Sequence, residues 1–304
     1  MSRRNIVNVP ASIREKLLNK SRILKRPFVE LLQYYSMERF LYRLSISNHA
    51  DKFFLKGALM LRAWQTLDHR PTMDVDLLGK TTNSVENLKT ICKELCTQPV
   101  PLDDGIIFSS ETVKGKTIQT EAEYEGIRIE FEAELDKAVI NMQIDVGFGD
   151  IITPGPKLIA YPTILDLPAP QLLGYTLETI IAEKLETMVK RGMSNSRMKD
   201  FFDILTLSKQ FPLNSKRLAA AIEATFHRRG TPIISSPECF SEAFAKNPEK
   251  NQQWQSFARK NSINGDSLPD VVDHIKKFLH PILHGLIINE LPDQKWNPSD
   301  RWTE

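Results

Sequence analysis

Between Ile127 and Val146 the chain changes its side-chain chemistry at every residue. Ile127, Ile129, Phe131, Ala133 and Leu135 alternate with Arg128, Glu130, Glu132 and Glu134. Ile140, Met142, Ile144 and Val146 then alternate with Asn141, Gln143 and Asp145. Successive side chains of a strand point to opposite faces, so the pattern predicts two half-buried antiparallel strands turning near Asp136-Lys137. The period-two region opens at Ile106. It places Asp145 on a polar face, just before the turn Gly147-Phe148-Gly149-Asp150.

Upstream, Phe53 to Leu55 reads as a short strand, Lys56-Gly57 as a sharp turn, and Ala58 to Leu67 as a helix with Leu59, Ala63 and Leu67 inward. Asp68-His69-Arg70-Pro71 is a turn before a second strand carrying Asp74 and Asp76. Residues two apart on a strand share a face, and carboxylates that close repel unless a cation lies between them. Oxygen ligands of this kind suit Mg²⁺, which takes one or two carboxylates together with substrate phosphates. Gly57 lets the backbone approach a phosphate closely, and the free N–H groups of a helix start attract one. Lys56, Thr72 and the backbone of Gly57 and Ala58 are the candidate phosphate contacts. Arg70 either binds phosphate or pairs with Asp74.

The remainder reads as an ordinary globular chain. Its 304 residues are 41% hydrophobic and 26% charged, with a formal charge of +2, which rules out a strongly basic whole-chain nucleic-acid binder. Cys92, Cys96 and Cys239 make no disulfide framework and fit a reducing cytoplasm. No secretory core or membrane-spanning run is evident, so a cytoplasmic protein without membrane contact is expected. Cys92 and Cys96 at spacing four read as buried thiols rather than metal ligands. Residues 10 to 46 form two amphipathic helices, the second beginning at Pro27, that pack against the core. A further helix runs from about Val85 to Cys96. Five prolines between Thr153 and Gly174 read as an irregular crossing between two lobes. Beyond it Thr176 caps a helix with Lys184 on its apolar stripe, where a lone lysine usually reaches out to solvent. A basic flexible turn, Lys190 to Arg197, leads to the helix Met198 to Leu205. The tail reads as helices near Ser215–His227, Pro237–Phe244, Gln252–Arg259 and Leu268–Leu286, with Phe226, Trp254 and Phe278 in the core. His280 and His284 lie four apart, but Pro281 interrupts the helix between them, which argues against a metal role.

The string Gly57 … Arg70-Pro71-Thr72-Met73-Asp74-Val75-Asp76-Leu77 resembles the nucleotidyltransferase superfamily that includes DNA polymerase β. With Phe54-Leu55-Lys56-Gly57-Ala58 and Leu78-Gly79 it looks like the AbiEii/AbiGii toxin branch, as do Glu38-Arg39-Phe40-Leu41-Tyr42-Arg43, Glu183-Lys184-Leu185-Glu186 and Arg197-Met198-Lys199-Asp200. The resemblance implies an α+β fold: a polymerase-β-like mixed sheet flanked by helices over residues 1–160, and a mostly helical lobe over 161–304, with the active site in a cleft. It implies Asp145 as the third carboxylate, a metal ligand and base on the attacking hydroxyl, completing with Asp74 and Asp76 a site for two Mg²⁺ ions. Lys184 is then a residue that reaches the nucleotide, and Asp200 one that completes its pocket or simply pairs with Lys199. Arg197 and Lys199 would contact phosphate or RNA backbone. Many relatives carry serine or glycine after the motif glycine, where this chain has Ala58, which leaves phosphate binding to the backbone. The implied activity is transfer of a nucleoside monophosphate from an NTP by the toxin of a type IV toxin–antitoxin pair used in phage defence. The tRNA 3′ end is the expected acceptor, and the cognate antitoxin acts without a stable complex. The alternatives are a nucleotidyltransferase acting on a protein or small molecule, and a non-catalytic NTP-binding regulator.

Overall fold

The computed structural model describes residues 8–66, 71–119, 125–263, 265–299 and 301–303. These form two compact units. The first holds most of the chain up to Gly149 together with Lys157–Gly174, and the second holds Asp150–Pro156 and the chain from Tyr175 onward.

In the first unit, α1 (Val9–Leu24) and α2 (Phe28–Ser45) are followed by β1 (Phe53–Lys56), α3 (Ala58–Ala63), β2 (Val75–Gly79) and α4 (Val85–Cys96). Then come β3 (Ile106–Gln119), β4 (Glu125–Leu135), β5 (Ala138–Phe148), β6 (Lys157–Ala160) and β7 (Gln171–Gly174). Among the described residues these strands make one mixed sheet in the order β3-β4-β5-β2-β1-β7-β6. The β2–β5 and β1–β7 pairs are parallel and the rest antiparallel. The alternation of β4 and β5 holds: Ile127, Ile129, Phe131, Ile144 and Val146 are buried, while Glu132 and Glu134 are exposed. Phe40 of α2 meets Phe131 and Phe108 of that buried face at ring-centroid distances of 5.1 and 5.6 Å. Cys92 and Cys96 line the buried side of α4 as expected, and burial pushes the Cys92 thiol well up.

Three expectations are corrected in this unit. Helix α2 is not a one-sided amphipathic helix, because every residue from Leu31 to Leu44 is buried. Its charges survive burial through partners: Arg43 pairs with Asp104 at 2.7 Å, Glu38 accepts the Ile164 N–H at 2.7 Å, and Arg39 donates to the Pro168 carbonyl at 2.9 Å. The proline-rich stretch from Thr153 to Gly174 is not wholly irregular. Its two four-residue strands, β6 between Pro156 and Pro162 and β7 directly after Pro170, pair with each other, and β7 meets β1 at Leu55↔Gly174. Finally, α3 ends at Ala63, short of the expected Leu67, and Leu67 to Arg70 lie outside the described residues.

The second unit is mostly helical: α5 (Leu177–Arg191), α6 (Met198–Gln210), β8 (Leu213–Asn214), α7 (Ser215–Arg228), α8 (Glu242–Ala245), α9 (Pro248–Lys260), α10 (Leu268–Ile288), β9 (Lys295–Asn297) and β10 (Arg301–Thr303). Thr176 caps α5 by accepting the Thr179 N–H at 3.3 Å. The short strands form a small sheet, β10-β9-β8, that the sequence pattern did not signal. Pro281 does not interrupt α10. It faces solvent, while Ile275, Phe278, Leu279, Ile282 and Leu283 are buried on the other side. Five such burials at about 1.5–3 kcal/mol each outweigh an interior proline's cost of about 3 kcal/mol. Phe226, Trp254 and Phe278 are core residues, as the pattern predicted. Among the described residues no helix is long and apolar enough to cross a membrane.

Candidate active site

Four ionisable residues stand in register across adjacent strands of the first unit. Lys56 of β1 is opposite Asp76 of β2, Asp76 is beside Asp145 of β5, and Asp145 is opposite Arg128 of β4. Residues directly opposite in a ladder share a face, so the row runs cation, carboxylate, carboxylate, cation. Asp74 joins from one residue upstream of β2, where Thr72 Oγ1 donates to its Oδ1. Carboxylate oxygens of Asp74, Asp76 and Asp145 all lie within 4.8 Å of one another, and the three residues are half-buried. Two charges at that spacing repel by roughly 3 kcal/mol at the effective dielectric of a protein surface. An all-oxygen cluster, partly open to solvent, is a donor set that fits a hard divalent cation such as Mg²⁺.

Gly57 is required here for a reason separate from phosphate binding. Its φ of +68° and ψ of −152° favour glycine. A Cβ at this position would fall on Asp76 Oδ2 and lie 2.8 Å from Asp76 Cβ and Cγ. The turn therefore makes room for the Asp76 carboxylate. The Lys56 side chain runs alongside, its Nζ 3.6 Å from where a Cβ on Gly147 would be. Ala58 is buried at the first position of α3. Thr72 is buried too, its N–H donated to the Tyr34 hydroxyl at 3.2 Å. Arg70 lies outside the described residues.

In the sequence Arg128 reads as one polar residue of a strand. In the structure its Nε donates to Asp145 Oδ1 at 2.8 Å and its Nη2 to Oδ2 at 2.7 Å, a two-pronged pair. The Gln143 amide lies against the same guanidinium and, with its oxygen turned inward, accepts from Arg128 Nη2 at 3.1 Å. The hydrogen bond to Asp145 pushes the guanidinium pKa up further. One signal was available: Arg128 is the lone cation among the outward residues of its strand.

In the second unit Lys184 does not reach out to solvent. Its Nζ lies 3.1 Å from Asp200 Oδ1 and 2.6 Å from Asp203 Oδ2, both carboxylates being nearly fully buried. Arg197 Nε donates to Asp200 Oδ2 at 2.8 Å. Burial works to raise the Asp200 carboxyl, but Lys184 and Arg197 outweigh it and hold it below its ordinary value. No motif in the sequence marks Asp203, although its spacing of three from Asp200 puts both on one face of α6. Lys199 is half-buried on the same helix. The turn after α5 is a single 3₁₀ turn, Gly192–Ser194, fastened where the Met193 N–H donates to Glu238 Oε2 at 3.0 Å. Elsewhere in the same unit, Arg229 gathers Asp150, Glu183 and Glu186 at 3.1, 3.3 and 3.0 Å.

A family model for the nucleotidyl transferase AbiEii toxin of type IV toxin–antitoxin systems matches residues 39–276. No curated protein sequence matches the chain. A crystal structure from Helicobacter pylori, described as a candidate nucleotidyltransferase, is similar over 86% of this chain and 98% of its own, with a TM-score of 0.50 and 14% identity. The crystal structure of JHP933 from Helicobacter pylori is similar over 86% of this chain and 94% of its own, again with a TM-score of 0.50 and 14% identity. At that identity the likeness is one of fold.

Proposed function

The chain belongs to the AbiEii nucleotidyltransferase toxin family of type IV toxin–antitoxin systems, and from that premise we propose that it transfers a nucleoside monophosphate from an NTP to an RNA end, with Mg²⁺ held by Asp74, Asp76 and Asp145. The observation that carries the proposal is the convergence of those carboxylates beside the Gly57 turn. Mg²⁺ there would offset the triphosphate charge and make the attacking hydroxyl more acidic. The protein's own part follows from its geometry. Two cations against three carboxylates leave the site one net negative charge, so it attracts a divalent cation without the full repulsion of a bare triad. The Lys56 amine and the backbone N–H groups at Gly57 and Ala58 are assigned to the phosphates. Asp145 is assigned to the hydroxyl proton. Arg128 donates to one lone pair on each of its oxygens, which leaves a second lone pair on each for the cation or the proton. Lys184 with Asp200, and Arg197 with Lys199, are assigned to the nucleotide and to RNA backbone.

We assign the tRNA 3′ end as acceptor, phage defence as the setting, and an antitoxin that acts without a stable complex. Incubating the protein with labelled NTPs and then separating tRNA, protein and small molecules tests the acceptor. Label in the tRNA fraction supports the assignment, and label confined to protein or small molecules refutes it. Asp76→Ala should relieve growth inhibition in cells, and a variant as toxic as the parent would leave only the non-catalytic regulator.

A further inference from the structure

Two polar residues of α2 are buried where the helix could have carried leucine. Gln33 is 4% exposed and Tyr34 3%. Gln33 Nε2 donates to the Met73 carbonyl at 3.2 Å and to the Asn141 carbonyl at 3.1 Å, which uses both of its hydrogens. Met73 immediately precedes Asp74. Asn141 lies on β5, four residues before Asp145. The register between β2 and β5 begins only at Val75↔Ile144, so upstream of it the Gln33 amide spans the two chains where no ladder does. Next to it, the Tyr34 hydroxyl accepts the Thr72 N–H at 3.2 Å, with the Arg62 guanidinium 4.6 Å from the centre of the Tyr34 ring. Thr72 in turn donates its hydroxyl to Asp74. Asp74 is thus the one carboxylate of the triad that stands outside the ladder, and its backbone and side chain are held by these contacts instead.

We infer that Gln33 and Tyr34 are positioning residues. They fix Thr72 and Met73, and so set the place of the Asp74 carboxylate relative to Asp145 and the affinity of the triad for a divalent cation. This rests on the metal reading proposed above. Loss of a partner that touches a metal ligand commonly changes affinity by about 10–100-fold, and Gln33 and Tyr34 act one step further out, through Met73 and Thr72, which puts the expected change at the low end. Residues that only fasten α2 to the sheet would instead change stability and leave cation affinity alone.

The test is Mn²⁺ titration followed by electron paramagnetic resonance, with thermal melting on the same full-length samples. Tyr34→Phe removes one oxygen, and Gln33→Met keeps the side-chain length while removing both donors. Each variant is expected to stay folded and to bind Mn²⁺ about tenfold more weakly. In turnover, the Mg²⁺ concentration for half-maximal rate should rise while the rate at saturating Mg²⁺ falls much less. If Gln33→Met does not fold, Tyr34→Phe decides. Folded variants with wild-type Mn²⁺ affinity overturn the inference while leaving the metal reading intact, provided that Asp76→Asn loses binding. A wild-type protein that binds no Mn²⁺ overturns both.

Discussion

Gly57 and Asp76 illustrate how one residue's conformation is set by another's chemistry. Gly57→Ala would force a Cβ onto the Asp76 carboxylate and strain a backbone that favours glycine. We expect a destabilisation of about 1–3 kcal/mol. Transfer activity should fall about 100-fold, because an ångström of misplacement in a site can cost that factor. A variant as active as the parent in a label-transfer assay would show that Asp76 does not need that space. Arg128 carries the opposite prediction. Arg128→Met removes the cation that holds Asp145, so Mn²⁺ should bind about three- to fivefold more tightly, the size of a partly exposed ion pair of ~1 kcal/mol. Unchanged or weaker binding in a calorimetric titration would mean that Arg128 does not compete with the metal. The aspartates were legible because Asp74-x-Asp76 and its preceding glycine are local signals. Arg128 was not, since its role appears only once β4 and β5 are in register.

The α5–α6 pair is held as much by charge as by apolar packing. Lys184 is the shared cation of two carboxylates that are nearly fully buried. Removing one partner of a buried pair costs about 3–5 kcal/mol, so Lys184→Ala should lower the melting temperature as well as any activity. Loss of activity alone, with melting unchanged, would show that these ion pairs add nothing to the fold. The pH dependence has a definite sign. Asp200 is held below its ordinary value near 3.8, so its contribution is full above that pH and is lost as pH falls toward the folded value. The melting temperature of the wild type should therefore drop more steeply below about pH 4 than that of Asp200→Asn. Parallel curves would contradict it. At this scale the strongly periodic β4, β5, α4 and α5 were readable directly, because each repeats its own rule over many residues. The four-residue β6 and β7 were hidden, since nearby prolines mark them as breaks and the strand that ties them to the sheet, β1, is distant in sequence. Helix α2 showed only its apolar stripe, and the polar residues that fasten it to the site are explained by tertiary partners.

The whole chain combines an α+β unit carrying the carboxylate triad with a mostly helical unit carrying the lysine and its two aspartates. Each unit has its own core, and Cys92, Cys96 and Cys239 are buried within them. Burial pushes the Cys239 thiol up to about 12, so thiolate is scarce at neutral pH. The native protein should resist a thiol-specific reagent at pH 8 and expose three reactive thiols in denaturant. A thiol that reacts in the native state within seconds would place one of them at the surface. The central claim, however, is that Asp74, Asp76 and Asp145 carry nucleotidyl transfer. It is tested most directly by incubating the full-length protein with Mg²⁺, NTPs labelled on the α-phosphate and total RNA, and by measuring label in RNA against pyrophosphate released. The wild type should give equal molar yields of the two, and Asp76→Asn neither at matched stability. Transfer by Asp76→Asn at the wild-type rate would contradict the claim.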